Sequence, residues 1–436
     1  MKLSSKQIAI MAAGAVVVIV VFGLILTNLQ NQGGPGMTFT INIWGTDPRG
    51  ALEPAITSYK AAHPLGIVDY TQINPKNYEN QLLEALASGN GPDLFYIGNR
   101  ELPKQKSRIV PPRVAGLPEF SVNRFREFFP TAAEQDFISD GEVYAVPLFM
   151  DTMVLLYNRD LFDQAGVVSP PTTWNEFLRA VEKIRIVSPQ GQIARAAASI
   201  GGTEKTVDAG VDFLHLLMLQ NGVAMVNADR SGATFASSDA SDRNSGNAAF
   251  SFYLQFANAG SPYYTWNEGQ PNSIDAFASG KVAMIMNYHS ALSIIKGKSA
   301  FLNVGVAPVP QTSEGATVAY PRYYGLAVSK QSKNQYWAWD FAWYVATSGA
   351  NAGFYAAETG APPALRELIA ANLNDPDYGI FVRQALTART WYEAHDTKIN
   401  GIFNNAIESV LYGRANIDSA LRGAQDQVSQ LMGERQ

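Results

Sequence analysis

Residues 38–47 read TFTINIWGTD and residues 82–97 read LLEALASGNGPDLFYI. In the first, Phe39, Ile41 and Ile43 alternate with polar residues and end in Trp44-Gly45, which is the period-two pattern of a half-buried strand. In the second, Leu82 and Leu86 continue a helical spacing begun at Tyr78, so a helix is expected over 77–88. Gly89-Asn90-Gly91-Pro92 ends it, and Leu94 to Ile97 follow as a short buried strand. Between the two stretches a helix is expected from Ala51 to Ala62, stopping before His63-Pro64 because the residue before a proline disfavours helical geometry. Strand, helix and strand at this spacing give an α/β domain with a largely parallel sheet.

Further along, Glu142 to Tyr157 holds two strand-like runs separated by Pro147 to Asp151. Thr173 and Glu176 have capping-box spacing at the start of a helix. Other helices are expected at 206–220, 246–259 and 273–279, and strands at 282–286 and 304–309. Residues 228–247, rich in Ser, Asp, Asn, Gly and Ala, read as a loop. Gln335 to Ala346 carries Tyr336, Trp339 and Trp343 on one helical face, a pattern that serves core packing.

The chain has 436 residues, enough for two or three domains. Its 33 basic and 38 acidic residues give a formal charge of −5. Lys2 and Lys6 are the only charges before Asp47, so the body carries 31 basic and 38 acidic residues, or −7. An acidic body argues against nucleic acid as a partner, because a phosphate-binding surface needs clustered cations. The absence of cysteine excludes disulfides, thiolate metal sites and a cysteine nucleophile.

Ile8 to Thr27 is an uncharged apolar run of 20 residues, the length of a bilayer-spanning helix. With Lys2 and Lys6 before it, residues 1–7 are expected in the cytoplasm and the body outside, in a single-pass arrangement at the cell membrane. A long cleaved signal peptide is the alternative, and it too exports the body. Residues 28–37 form a Gly/Pro linker that reaches at most ~33–36 Å.

No G-x-S-x-G elbow, H-E-x-x-H, P-loop or complete G-x-G-x-x-G follows a strand. His63, His215, His289 and His395 show no metal-ligand spacing, and His215 among leucines reads as a core histidine. Asp47 and Asp151 form a conceivable glycosidase pair, but among 38 acidic residues the choice has little specificity.

Eight segments, in order, resemble the extracellular solute-binding proteins of ABC importers, in the carbohydrate-binding family of maltose-binding protein. They are residues 38–47, 82–97, GEVYAVPLFMDTMVLLYNRDLF (141–162), PPTTWNEFL (170–178), IDAFASGKVAMIMNYHSAL (274–292), VGVAPVP (304–310), YYGLAVSK (323–330) and TGAPPAL (359–365). The resemblance implies a two-lobed periplasmic-binding-protein-like α/β fold with a ligand cleft between the lobes, after the N-terminal transmembrane helix. Lobe one is expected at 38–149 and 309–346, and lobe two at 150–308 and 347–436.

It also implies a monomeric, non-enzymatic receptor that needs no cofactor or metal. Such a receptor captures a saccharide and delivers it to ABC permease subunits. Carried over residue by residue, the ligand contacts are Trp44, Asp47, Asn99, Arg100, Asp151, Asn287, Tyr288, His289, Tyr323, Tyr324, Trp391 and Asn400. Asp151, just after a lobe crossover, is the strongest of them, and its alternative role is a structural cap. Asn99 stands where the family has an acid, and Asn400 where it has a stacking tryptophan. Tyr263, Tyr264, Trp266 and Glu268 form a secondary cluster. A ferric-ion binder using Tyr323-Tyr324, or a surface glycan-processing enzyme, are the alternatives.

Overall fold

The computed structural model describes residues 38–238, 244–312 and 316–433. The expected membrane segment 8–27, the linker 28–37 and part of the 228–247 loop lie outside the described residues. No helix among the described residues is long and apolar enough to cross a membrane.

Two five-stranded sheets form the centres of two lobes. The first has the order β2-β1-β3-β14-β6, built from β1 (Phe39–Gly45), β2 (Gly66–Gln72), β3 (Leu94–Gly98), β14 (Tyr324–Val328) and β6 (Val146–Pro147). β1 pairs in parallel with both β2 and β3, while β14 runs antiparallel to β3. The second has the order β12-β8-β11-β10-β9, from β12 (Val304–Pro308), β8 (Val154–Asn158), β11 (Val282–Asn287), β10 (Ile193–Ser199) and β9 (Ile186–Val187). β7 (Asp151–Thr152) and β13 (Pro321–Arg322) pair with each other and carry the chain between the sheets. A small hairpin of β4 (Ile138–Ser139) and β5 (Glu142–Val143) completes the strands.

Local chemistry explains the elements. In β1 the side chains of Phe39, Ile41 and Ile43 are buried and the intervening ones are not, as the alternation predicts. β8 and β11 are buried along their whole length, consistent with central strands covered on both faces. The capping box forms: the Thr173 hydroxyl accepts from the Glu176 amide, and the Glu176 carboxylate accepts from the Thr173 amide. In the helix Gln335–Thr347 the aromatic face is core. Trp339 is buried and donates to the Val110 carbonyl at 2.8 Å, and Trp343 stacks on Phe120 at 4.6 Å.

Several strands went unanticipated, β2 and β10 the longest of them. β2 (GIVDYTQ) buries only Gly66, Val68 and Tyr70, too short an alternation to stand out. β10 (IARAAAS) is alanine-rich, a composition depleted in strands, and forms because the site is buried between β11 and β9. Residues 245–254 are helical, so the loop expected to reach 247 stops earlier.

The core clusters divide the chain differently from the expected lobe boundaries. Ala352, Tyr355, Leu365 and Ile369 pack in the first core, whereas residues from 347 onward were expected in lobe two. Val309, Val318 and Tyr320 pack in the second, although 309 onward was expected in lobe one. The physical switch points are the β7–β13 pair and the segment beyond Ala388, from which Trp391, Ala394 and Ile399 enter the second core.

Candidate functional site

The C-terminal ends of β1, β3 and β11 and the start of β14 deliver residues 44–47, 98–100, 287–289 and 323–324 to the inner ends of the two lobes. In open α/β sheets this is where ligands gather. At the centre, Arg100 leaves the end of β3 and reaches lobe two. Its Nη1 lies 2.7 Å from Asp212 Oδ1, on the helix Gly210–Gln220, and 3.7 Å from Glu393 Oε1. Asp212 Oδ2 accepts from Arg322 Nη2 at 2.8 Å and from the Tyr288 hydroxyl at 2.7 Å. The Arg322 guanidinium lies 4.2 Å from the centroid of the Tyr288 ring. Glu393 Oε1 accepts from the Tyr320 hydroxyl at 3.0 Å. One carboxylate thus ties lobe one, a crossover strand and lobe two together.

The electrostatics follow from burial and charge. Burial alone would raise Asp212, but Arg100 and Arg322 overcome it and hold this carboxyl well below the usual range. Glu393 is pushed up to about 8, first by burial, against Arg100 and with Asp212 adding repulsion. Burial depresses His215 to about 3. It is a core histidine, as the sequence predicts, beside Tyr320, Trp391 and Phe403. Glu393 Oε2, Arg322 Nε, Trp391 Nε1 and Asn400 Oδ1 are buried atoms without a partner among the described residues. Such atoms cost free energy unless a ligand or water satisfies them.

The other expected contacts fall into local groups. Asp47 is largely buried, which raises its carboxyl; it accepts the Tyr355 hydroxyl, and its carbonyl accepts that of Tyr70. Tyr324 stands 6.4 Å from both Tyr96 and Phe149, and Phe149 is 6.4 Å from Tyr355, so these rings make one aromatic wall beside Asp47. Trp44 is half-buried, packed against the first core. Asn99 and Tyr323 are buried behind the wall. Asn99 Nδ2 donates to Asp136 at 3.0 Å and the Tyr323 hydroxyl to the same oxygen at 2.6 Å.

Asp151 is 4% exposed and accepts the backbone N–H groups of His289 and Ser290 at 2.9 and 3.1 Å. It therefore caps the helix Ser290–Lys298 across the crossover, and burial pushes its carboxyl up to about 6. Asn287 donates to Asp208 at 2.9 Å, and His289 lies against Phe381. Trp391 lines a 240 Å³ cavity with Gln135 of lobe one and Arg230 and Tyr392 of lobe two. This is below the ~300–1,000 Å³ of drug-sized sites, so as it stands it suits a small solute. Asn400 is half-buried on the helix Asp396–Leu411. In the secondary cluster Trp266 is core, and Glu268 accepts from Thr203 and Thr206.

The structure thus unites Arg100 and Tyr288, and places Asp47 with Tyr324. It sets Asn99 and Tyr323 in a separate buried group. Asp47 and Asp151 share no hydrogen-bond partner, and the Tyr323 hydroxyl is engaged by Asp136 rather than held beside that of Tyr324. No group of His, Cys, Asp or Glu among the described residues could hold a metal ion. Sequence reading missed Asp212, Arg322, Glu393, Tyr320 and Tyr355. Asp212 left one signal: an acid in a helix, GVDFLHLLMLQ, that is apolar apart from His215 and Gln220 needs a buried partner.

Two sheets joined by crossover strands, with a buried polar centre between them, define a two-lobed binding protein. Residues 45–352 match the model of the bacterial extracellular solute-binding protein family, and the chain belongs to that family. A binding protein of Brucella abortus is 24% identical over 383 residues, covering 86% of this chain and 87% of its own. The diacetylchitobiose binding protein of Streptomyces coelicolor is 24% identical over 268 residues, 60% of this chain and 58% of its own. Among solved structures, a solute-binding protein of Thermotoga lettingae bound with α-D-tagatose superposes with a TM-score of 0.71 at 20% identity, covering 91% of this chain and all of that one. The cyclic α-maltosyl-1,6-maltose binding protein of Arthrobacter globiformis gives 0.72 at 19% identity, with the same coverage. At these identities the structural likeness concerns the fold.

Proposed function

We propose that this protein captures a saccharide between its lobes and delivers it unchanged to an ABC permease. In this reading the uncleaved segment 8–27 tethers a monomeric body on the extracytoplasmic side of the cell membrane. The observation that carries the reading is the interlobe centre. Arg100 and Arg322 share the Asp212 carboxylate, while Arg322 Nε, beside the Tyr288 ring, and Trp391 Nε1 lack partners among the described residues. Planar polar groups with aromatic faces suit the hydroxyls and C–H faces of a neutral sugar. Relatives whose names specify diacetylchitobiose, maltotriose or multiple sugars support the choice of ligand class.

The β7–β13 pair supplies the hinge. A sugar favours the closed form only by the margin with which it binds that form better than the open one. Calorimetry of the purified protein against mono- and oligosaccharides tests the reading. Saturable heat from at least one sugar is expected. A folded protein silent to the whole panel overturns it.

A further inference from the structure

A groove of 850 Å³ lies on lobe one, outside the interlobe centre. Lys104, Lys106, Arg108, Arg113 and Lys330 line it, with Glu142 as its one acidic lining residue. The run from Pro103 to Val114 contains four of these cations and no acid, on a body whose formal charge is −7. Lys104 pairs with Glu79, Lys106 with Asp140 and Arg113 with Glu142. Arg108 and Lys330 are exposed, and among the described residues Arg108 donates only to the Lys104 carbonyl, at 3.2 Å.

The groove reaches the end of the sheet opposite the ligand gap. β14 begins beside Gly98 at the inner end and finishes at Val328, so Lys330 emerges at the outer end. β1 starts at that same end. The Thr40 carbonyl accepts from Asn334 at 2.7 Å, the Phe39 ring stacks on Trp337 at 4.2 Å, and Gln335 donates to the Lys330 carbonyl at 2.9 Å. Residue 38, where the described structure begins, therefore lies at the same end of the sheet as the basic groove.

We propose that this groove docks on the anionic phosphate headgroups of the membrane to which the chain is tethered. Docking there turns the ligand gap away from the bilayer, so the docked state is one that fills with sugar and must detach before the gap can face a permease. The inference rests on the tethered reading above. A linker of at most ~36 Å holds the groove near the surface at high effective concentration. Lys104, Lys106 and Arg113 are offset by their local acids, so Arg108 and Lys330 carry the attraction, and screening over ~8 Å removes the opposing field of the distant acids.

The full chain contains no cysteine, so Ser107→Cys in the groove gives one dye site. The labelled full chain is inserted into lipid nanodiscs carrying acceptor-labelled lipid. The discs are either phosphatidylcholine alone or include about one-third phosphatidylglycerol. Energy transfer is expected to rise only in the anionic discs and to fall with added salt. The double variant Arg108→Ala, Lys330→Ala should lower the ratio of docked to undocked protein about 25-fold, at about fivefold per cation. Arg108→Lys with Lys330→Arg should restore it. Equal transfer in both lipids, or an unchanged double variant, overturns the docking alone. Failure of the full chain to enter discs overturns the tether and the docking with it.

Discussion

Replacing Asp212 by Asn keeps the side chain's shape and removes its charge. Asp212 is 1% exposed and accepts from Arg100, Arg322 and Tyr288 at 2.7, 2.8 and 2.7 Å. The variant leaves the Arg100 guanidinium, whose side chain is 10% exposed, with Glu393 at 3.7 Å as its nearest acid. Burial still opposes ionisation of Glu393, and at 3.7 Å it replaces only part of the lost pairing. Breaking a buried ion pair from one side costs roughly 3–5 kcal/mol. Arg322 adds little to this, because its side chain is 41% exposed and water takes up its charge. For a cooperative unit the size of one lobe, the loss lowers Tm by roughly 6–20 °C. Urea unfolding at pH 7, followed by tryptophan fluorescence, measures it. Asp212 titrates well below neutrality in the folded state, so its contribution is complete at pH 7 and is lost only in acid. A cycle with Arg100→Met should return about 2–3 kcal/mol of coupling. A loss below ~1 kcal/mol, or no coupling, would refute the argument that this carboxylate joins the lobes.

Stability should fall on both sides of mildly acidic pH, for opposite reasons. Glu393 is raised to about 8, so its contribution is complete below about 4.5 and is lost as pH rises through 8; Glu393→Gln should flatten that limb of the urea midpoint. His215 is depressed to about 3, so its contribution is present above about 6.5 and is lost as pH falls; His215→Phe should flatten the acid limb, and unchanged limbs would contradict both assignments. Gly246→Ala should unfold or severely destabilise the second lobe, because a Cβ would stand 1.8 Å from the Phe235 carbonyl oxygen. Gly401→Ala, in open space inside the helix Asp396–Leu411, should stabilise by about 0.5–1 kcal/mol; thermal melts check both.

What could be read from the chain divides along physical lines. Elements whose own pattern decides them were visible: the alternation of β1, the capping box at Thr173, and the aromatic face of residues 335–347. So was the ordered set of family segments, and with it the fold. Elements made by their surroundings were not. β10 is a strand only because β11 and β9 flank it, and β2 shows too short an alternation.

The lobe boundaries were displaced because the helices Gly349–Thr359 and Arg366–Ala371 return to the first core, a contact set by packing rather than by local pattern. The site was legible as loops and only partly as side chains. Arg100, Tyr288, Asp47 and Tyr324 reach the inner ends of the lobes. Asp212, Arg322 and Glu393, which organise them, are distant in sequence and match no local motif. Asp151 has both carboxylate oxygens engaged by backbone amides, an arrangement that local sequence does not distinguish from ligand binding.

A crystal structure of the protein with the tightest-binding sugar from the calorimetric panel addresses the whole account at once. The sugar should lie between the inner ends of the sheets. On one side it should touch the wall of Asp47, Tyr324 and Phe149, and on the other the Arg322 and Trp391 edge, with at least one orphaned polar atom satisfied. A sugar seated on an outer face, or held by one lobe alone with the other free, would contradict it.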